Sequence, residues 1–187
     1  DMLVQRSNPP HIIFASPNIP NPEVYLQLIP DVANRENYKI TTKFSPVNQE
    51  KFLIDFKRNE LHYYNETTQE LTKYCSFSEG KDLLDFVHEL GEGARSVVYS
   101  NSKDNVVEYA LRYAAKLQPL HDGDLDILAQ DIRQDVHGDY YLADIVEKGV
   151  AYHMGYLPST IRVRIESLYK AGKIHTLFCT STLLEGV

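Results

Sequence analysis

The sequence predicts an α/β fold in which helices cover both faces of a parallel sheet. Three short apolar runs at residues 96–99, 149–152 and 174–179 are predicted strands, and segments with apolar residues at helical spacing separate them. Strands that alternate with amphipathic helices are typical of parallel sheets buried on both sides. At 187 residues the chain can bury one sizeable core, so one domain with appendages is expected.

The chain before this sheet is predicted to be a connector followed by a hairpin. Residues 12–14 form a short apolar run, and the prolines that follow it exclude a helix directly after it. Farther along, apolar and polar residues alternate over 52–56, and 61–64 is a second strand-like run beyond an Arg-Asn turn. This pattern predicts two antiparallel strands.

Each predicted helix is defined by a start or stop signal and an apolar stripe. Ser78 and Ser102 are candidate N-caps of the first two helices, Ser159 starts the last one, and Gly172 ends it. The predicted stripes are, in chain order, Leu83, Leu84, Val87 and Leu90; Val106, Val107, Ala110, Leu111, Ala114 and Leu117; Leu125, Leu128, Ile132 and Val136; Tyr141, Leu142, Ile145 and Val146; and Ile161, Ile165, Leu168 and Tyr169.

The net charge of −7 argues at first against a nucleic-acid partner, because affinity for phosphates comes largely from Lys and Arg. The charge is unevenly distributed, however. Residues 118–147 carry eight acids against one base, whereas residues 148–187 carry five bases against two acids. The second segment is expected to be a locally basic contact region, although a solvated helix face explains the same charges equally well.

Several functional classes find no support in the sequence. No apolar run approaches the roughly 20 residues of a membrane span, and residues 1–8 do not resemble a secretory signal. Cys75 and Cys179 stand far apart, which fits a reducing, cytoplasmic setting. No metal site is assigned, because the histidines at 11, 121, 137 and 175 lack partners at ligand spacing. No catalytic residue is assigned either, because no Gly-x-Ser-x-Gly elbow is present.

Polar residues follow each of the three predicted strands. The runs are Tyr-Ser-Asn-Ser at 99–102, His-Met-Gly-Tyr at 153–156 and Thr-Ser-Thr at 180–182. In parallel sheets the functional loops leave the carboxyl ends of the strands. Hydroxyls and helix N-termini bind phosphate oxygens without reading bases. The strand ends are therefore candidate contacts to a phosphate backbone or a nucleotide.

These strand ends resemble conserved motifs of superfamily 2 helicases, and the match is closest to the Ski-like DExH branch. Residues 96–102 resemble the fourth motif, and 149–158 (GVAYHMGYLP) resemble the H-x-G-x-L-P element. Residues 174–187, which include T-S-T-L-L-E-G-V, resemble the fifth motif, and 12–20 are similar to the third. The resemblance implies a RecA-like fold.

The resemblance also implies roles for particular residues. Contacts to the nucleic-acid backbone would come from Ser100, Asn101, Ser102, His153, Gly155, Thr180 and Ser181, whereas Glu185 and Gly186 would lie near ATP. Taken alone, Ser102 is more often an ordinary N-cap without a ligand, and His153 is more simply a structural histidine at a strand end. The ordered occurrence of the motifs is what favours the helicase interpretation.

The same resemblance divides the chain at residue 38. Residues 1–38 would be a remnant of the first motor domain with its linker, and 39–187 the second RecA-like helicase domain, incomplete at its C-terminus. The sequence has no G-x-x-x-x-G-K-[ST] loop, no D-E-x-H box and no Q-x-x-G-R-x-G-R motif. We therefore expect ATP and Mg²⁺ to be used by the intact enzyme, and this fragment alone to bind neither and to be inactive.

The expected partners are the backbone of a single-stranded nucleic acid, either DNA or RNA, and the first motor domain of the same polypeptide, with no membrane. An alternative function is a non-catalytic α/β module that binds a protein through the acidic helices of residues 122–147. The two functions predict different flanking sequences in the parent gene. Only a motor requires a phosphate loop and a D-E-x-H box upstream and a Q-x-x-G-R-x-G-R motif downstream.

Overall fold

The computed structural model describes Ile13, Glu23–Val24 and residues 49–183. The chain divides into two compact units, Asp1–Gln49 and Glu50–Val187, and all the elements below belong to the second. The third-motif resemblance at 12–20 lies outside the described residues apart from Ile13. The domain boundary at residue 38 stays a prediction.

The second unit opens with a three-stranded antiparallel sheet of β1 (Lys51–Asp55), β2 (Glu60–Asn65) and β3 (Glu70–Ser76). The predicted hairpin is confirmed, since Phe52 pairs with Tyr63 and Ile54 with Leu61. Asp55 forms the turn by accepting hydrogen bonds from the main-chain N–H groups at 57 and 58. The third strand was not predicted. It is exposed along its whole length and therefore lacks the pattern of a half-buried strand.

The first helix, α1 (Leu83–Gly91), does not begin at Ser78 as predicted. Its N-cap is Asp82, which exchanges hydrogen bonds with the main chain and side chain of Asp85 in a capping box. The predicted stripe is also partly wrong, because Leu90 is 72% exposed and Phe86 is buried in its place. Phe86 packs edge-to-face on Phe77, with ring centroids 4.9 Å apart. The antiparallel sheet thereby packs against α1.

The predicted parallel sheet is confirmed. It contains β4 (Ser96–Tyr99), β5 (Val150–His153) and β6 (Thr176–Cys179) in the order β4-β6-β5, with parallel pairing on both sides of β6. Tyr99 and His153 both pair with Cys179, so the three strands end at the same side of the sheet. This side is called the carboxyl edge below.

Helices flank this sheet as the α/β prediction requires. They are α2 (Lys103–Ala114), α3 (Gly123–Asp135), α4 (Leu142–Val146) and α5 (Ser159–Lys170), and a 3₁₀ turn, Ser181–Leu183, follows β6. α2 packs against β5 and β6, and α4 and α5 pack against β5. The fully buried core includes Leu125, Leu128, Ile132, Leu142, Tyr152, Ile161, Ile165, Leu177 and Phe178. Of the two cysteines, Cys75 is exposed on β3 and Cys179 is buried in β6.

Among the described residues, no helix combines the length and the apolar character needed to cross a bilayer.

Two glycines with left-handed backbone conformations allow the chain to enter β5 and β6. Gly149 has φ +71°, and a Cβ there would lie 2.7 Å from Leu120 Cδ1 and 3.3 Å from the Lys173 carbonyl oxygen. Gly172 has φ +75° at the end of α5, and a Cβ there would meet no atom within 4 Å. The two sites therefore share the backbone requirement and differ in crowding.

Gly149→Ala is expected to destabilise the protein more than Gly172→Ala. Both variants force an L-residue into a left-handed conformation, at roughly 1–2 kcal/mol. Gly149→Ala also crowds a main-chain carbonyl, so we expect its free energy of unfolding to fall by about 1 kcal/mol more. Urea denaturation of both variants measures the difference, and equal losses would contradict the crowding argument.

Candidate nucleic-acid interface

The first part of the candidate interface is the turn between β4 and α2. The main-chain N–H of Ser100 donates to the Cys179 carbonyl, N to O 2.9 Å, which ties this turn to the end of β6. Ser102 is the N-cap of α2, as predicted, and its Oγ accepts from the Asn105 N–H. Asn101 lies between them and is exposed. The turn thus presents an amide side chain beside the positive end of a twelve-residue helix.

The second part is the end of β5. His153 is only 2% exposed, and its Nε2 lies 2.8 Å from Glu166 Oε1 on α5. An ionised carboxylate only accepts hydrogen bonds, so the ring donates its Nε2–H. Its buried Nδ1 makes no hydrogen bond within the described part of the chain. Gly155, two residues on, is exposed. The histidine therefore fixes the loop from inside, and Gly155 lies on its surface.

The third part is the end of β6. Thr180 is 7% exposed, and its carbonyl accepts from the Leu183 N–H at 3.2 Å, which closes the 3₁₀ turn. Ser181 is exposed at the start of that turn. Glu185 and Gly186, the residues predicted to lie near ATP, fall outside the described residues.

The carboxyl edge thus brings all seven candidate nucleic-acid contacts to one side of the sheet, but at different depths. Asn101, Gly155 and Ser181 are exposed, Ser100 and Ser102 are half-buried, and His153 and Thr180 are buried. The exposed group offers amide, hydroxyl and main-chain donors. Such neutral donors suit phosphate oxygens and do not read base identity.

Three of the five bases of residues 148–187 form hydrogen bonds or ion pairs within the domain. Lys148 Nζ donates to the Ala114 carbonyl, Lys173 pairs with Asp122, and Arg164 pairs with Asp131. Lys148 and Lys173 also precede their strands, so they lie at the opposite side of the sheet from the carboxyl edge. The positive charge of this segment is therefore not concentrated at the candidate interface.

Lys103 and Arg162 are the cations that lie in the first turns of α2 and α5, next to the carboxyl edge. Lys103 was missed as a candidate because it is a single base beside an acid, Asp104, and forms no charge cluster. Its ammonium lies 6.0 Å from the centre of the Tyr156 ring. Among the described residues, no group of three or more His, Cys, Asp and Glu side chains is placed to hold a metal ion.

No protein-family model matches the chain. In an alignment of 188 positions that covers 95% of its length, the chain is 24% identical to a protein from Caldivirga maquilingensis named ATP-dependent DNA helicase Hel308. In a second alignment of 188 positions, covering 94% of its length, it is 25% identical to a protein of the same name from Methanococcus vannielii. The matched segments are 23% and 24% of those proteins, so the chain spans about a quarter of their length. This distant similarity supports a helicase-related segment.

Glu166→Ala is expected to destabilise the domain by roughly 1–3 kcal/mol, because it leaves the buried His153 Nε2–H without its acceptor. Urea denaturation measures this loss. Glu108→Ala is the matched control, since Glu108 forms a surface ion pair with Arg112 and its side chain is 60% exposed. That variant should change the free energy of unfolding by no more than about 0.5 kcal/mol. Similar small effects in both variants would contradict an anchoring role for Glu166.

Proposed function

We propose that this chain is part of an ATP-dependent DNA helicase of the Ski-like branch, and that its carboxyl edge contacts the sugar-phosphate backbone of a single strand. One observation carries the proposal. The three segments that resemble the fourth motif, the H-x-G-x-L-P element and the fifth motif end at one edge of one parallel sheet. The similarity to the relatives covers about 95% of the chain and supports the same interpretation at the level of a helicase-related segment.

The proposed contacts are Ser100, Asn101, Ser102, Gly155, Thr180 and Ser181, with His153 as a positioning residue beneath them. The exposed members, together with the Thr180 hydroxyl at the end of β6, would bind phosphate and sugar oxygens, and the start of α2 would add main-chain N–H groups of its first turn. Because contacts to phosphate and sugar oxygens carry no base identity, the proposed binding would be independent of sequence, as a translocating motor requires. DNA is proposed over RNA because both relatives are named DNA helicases.

The intact enzyme is proposed to use ATP and Mg²⁺ in a cleft between two motor domains, with Glu185 and Gly186 on this side of the cleft. Residues 39–187 would form the second motor domain and 1–38 the end of the first with its linker. Closing and opening of the two domains would let the carboxyl edge hold a strand in one state and shift along it in the next. Cytoplasmic localisation belongs to the proposal, and two unpaired cysteines are compatible with it.

The acidic helices give little support to a protein-docking function. Asp122 and Asp124 pair with Lys173, Asp131 pairs with Arg164, and Asp144 and Glu147 both pair with Arg133. Five of the eight acids of residues 122–147 are therefore paired with three cations of the same domain, which reduces the negative charge offered to a basic partner.

Thr180→Val in the full-length protein is expected to weaken single-strand binding about tenfold or more and to uncouple ATP turnover from it. The substitution keeps the β-branched shape and removes a hydroxyl whose bond to a charged group contributes roughly 1.5–3 kcal/mol. Fluorescence anisotropy with oligonucleotides of different sequence measures the affinity, and the loss should be similar for each.

Thr176→Val is the matched control, because Thr176 is the same residue type on the same strand, 3% exposed, at the opposite end. It should leave the affinity unchanged. A lower melting temperature for Thr180→Val with normal affinity would show that the Thr180 hydroxyl serves only the local structure.

The 187-residue chain alone is expected to show no nucleic-acid-stimulated ATP hydrolysis, because its sequence holds no phosphate loop and no acidic box. A phosphate-release assay with and without single-stranded DNA measures this. Stimulated turnover by the purified chain would overturn the assignment to the second motor domain.

A further inference from the structure

Four tyrosines form a cluster next to the carboxyl edge. Tyr140 and Tyr141 are stacked, with ring centroids 5.2 Å apart and an interplanar angle of 24°. The Tyr141 ring is also 6.5 Å from Tyr152, a fully buried residue of β5. Tyr156 follows β5 by three residues, and a side-chain hydrogen bond joins it to Tyr140. These residues, Tyr140, Tyr141, Tyr152 and Tyr156, are called the tyrosine cluster below.

Two rings of the tyrosine cluster remain open to solvent. Tyr141 is 42% exposed and Tyr156 is 54% exposed, although both contact other aromatic or cationic groups. Burial and the neighbouring hydroxyls of Tyr140 and Tyr141 raise the pKa of Tyr156 to about 12. Its phenol is neutral at physiological pH, as that of an ordinary tyrosine is. Large neutral rings held in place by neighbours lose little side-chain entropy when a second flat group stacks on them.

The position of the tyrosine cluster links it to the proposed backbone contacts. Tyr156 directly follows Gly155, and Lys103, whose ammonium lies 6.0 Å from the Tyr156 ring centre, directly follows Ser102. The exposed Tyr156 ring therefore borders the surface on which the sugar-phosphate backbone is proposed to lie, and Tyr141 lies close enough to Tyr156 to affect its pKa. One cation, Lys103, and one acid, Asp104, act on Tyr156, so charges of both signs lie near its exposed ring.

We propose that Tyr141 and Tyr156 form a stacking surface for the bases of the single strand whose backbone lies along the carboxyl edge. Aromatic rings stack on all four bases, so the contact adds affinity without sequence preference. This inference rests on the proposed function, because it takes the same strand as the ligand. It adds that bases, and not only phosphates, contribute to binding.

The absence of tryptophan from the sequence provides a direct test. Tyr156→Trp introduces a single tryptophan, whose emission in the 187-residue chain should be quenched by a dT oligonucleotide. An abasic oligonucleotide of the same length and charge should bind more weakly and leave the emission unchanged. Tyr74→Trp is the matched control, since Tyr74 is 69% exposed on the antiparallel sheet, and its emission should not respond to either oligonucleotide.

Affinity measurements separate stacking from charge. Tyr156→Ala should weaken binding of the dT oligonucleotide about tenfold and leave the abasic affinity and the salt dependence unchanged, because stacking releases no counterions. Tyr156→Phe should retain the wild-type affinity, since the ring is kept. Lys103→Gln should instead make the affinity less dependent on salt.

The outcomes distinguish the two proposals. Equal affinity of the wild-type chain for dT and abasic oligonucleotides, together with no quenching of the Tyr156→Trp variant by dT, would overturn the stacking surface and leave the backbone contacts standing. Failure of both oligonucleotides to bind would overturn the proposed function, and the stacking surface with it. Quenching in the Tyr74→Trp control as well would show non-specific adsorption and would also overturn the stacking surface.

Discussion

The pairing of β6 with two strands at once is the interaction on which the rest of the structure depends. β6 lies between β4 and β5, and all four of its residues are buried. Parallel strands are stable only where helices cover both faces of the sheet, so the sheet and its helices must form together. Because β4 and β6 are far apart in sequence, the carboxyl edge exists only when the whole unit is folded.

The parallel sheet could be predicted because its signals are local. Apolar runs marked β4, β5 and β6, and the stripe of Leu125, Leu128 and Ile132 defined α3 without tertiary information. The start of α1 could not be predicted in the same way, because Ser78 and Asp82 are both good N-caps. Phe86 rather than Leu90 is buried because Phe77 and the more distant Phe56 both pack against it. Such a contact has no periodic signature in the sequence.

For the candidate site, the sequence predicted which residues follow the strands. It did not predict how deeply their side chains are buried or which basic side chains are already paired. The sequence does not indicate whether a His or Thr at or just after the end of a strand faces solvent. His153 and Thr180 are both buried. The pairing of His153 with Glu166 joins a strand to the following helix and depends on how they pack. The sequence also did not show that the bases at 164 and 173 are paired. Their acidic partners at 131 and 122 belong to α3 and its N-cap, far from them in the sequence.

The two thiols allow the opening of the parallel sheet to be followed without an added label. Cys75 is exposed, whereas burial raises the pKa of the Cys179 thiol and keeps alkylating reagents away from it. Cys179 can react only while β6 is detached, so its modification rate relative to that of Cys75 reports the free energy of that opening. The Cys179 carbonyl also accepts the hydrogen bond from the Ser100 N–H. The same rate therefore reports how often the carboxyl edge, with its proposed contacts to the nucleic acid, is disrupted.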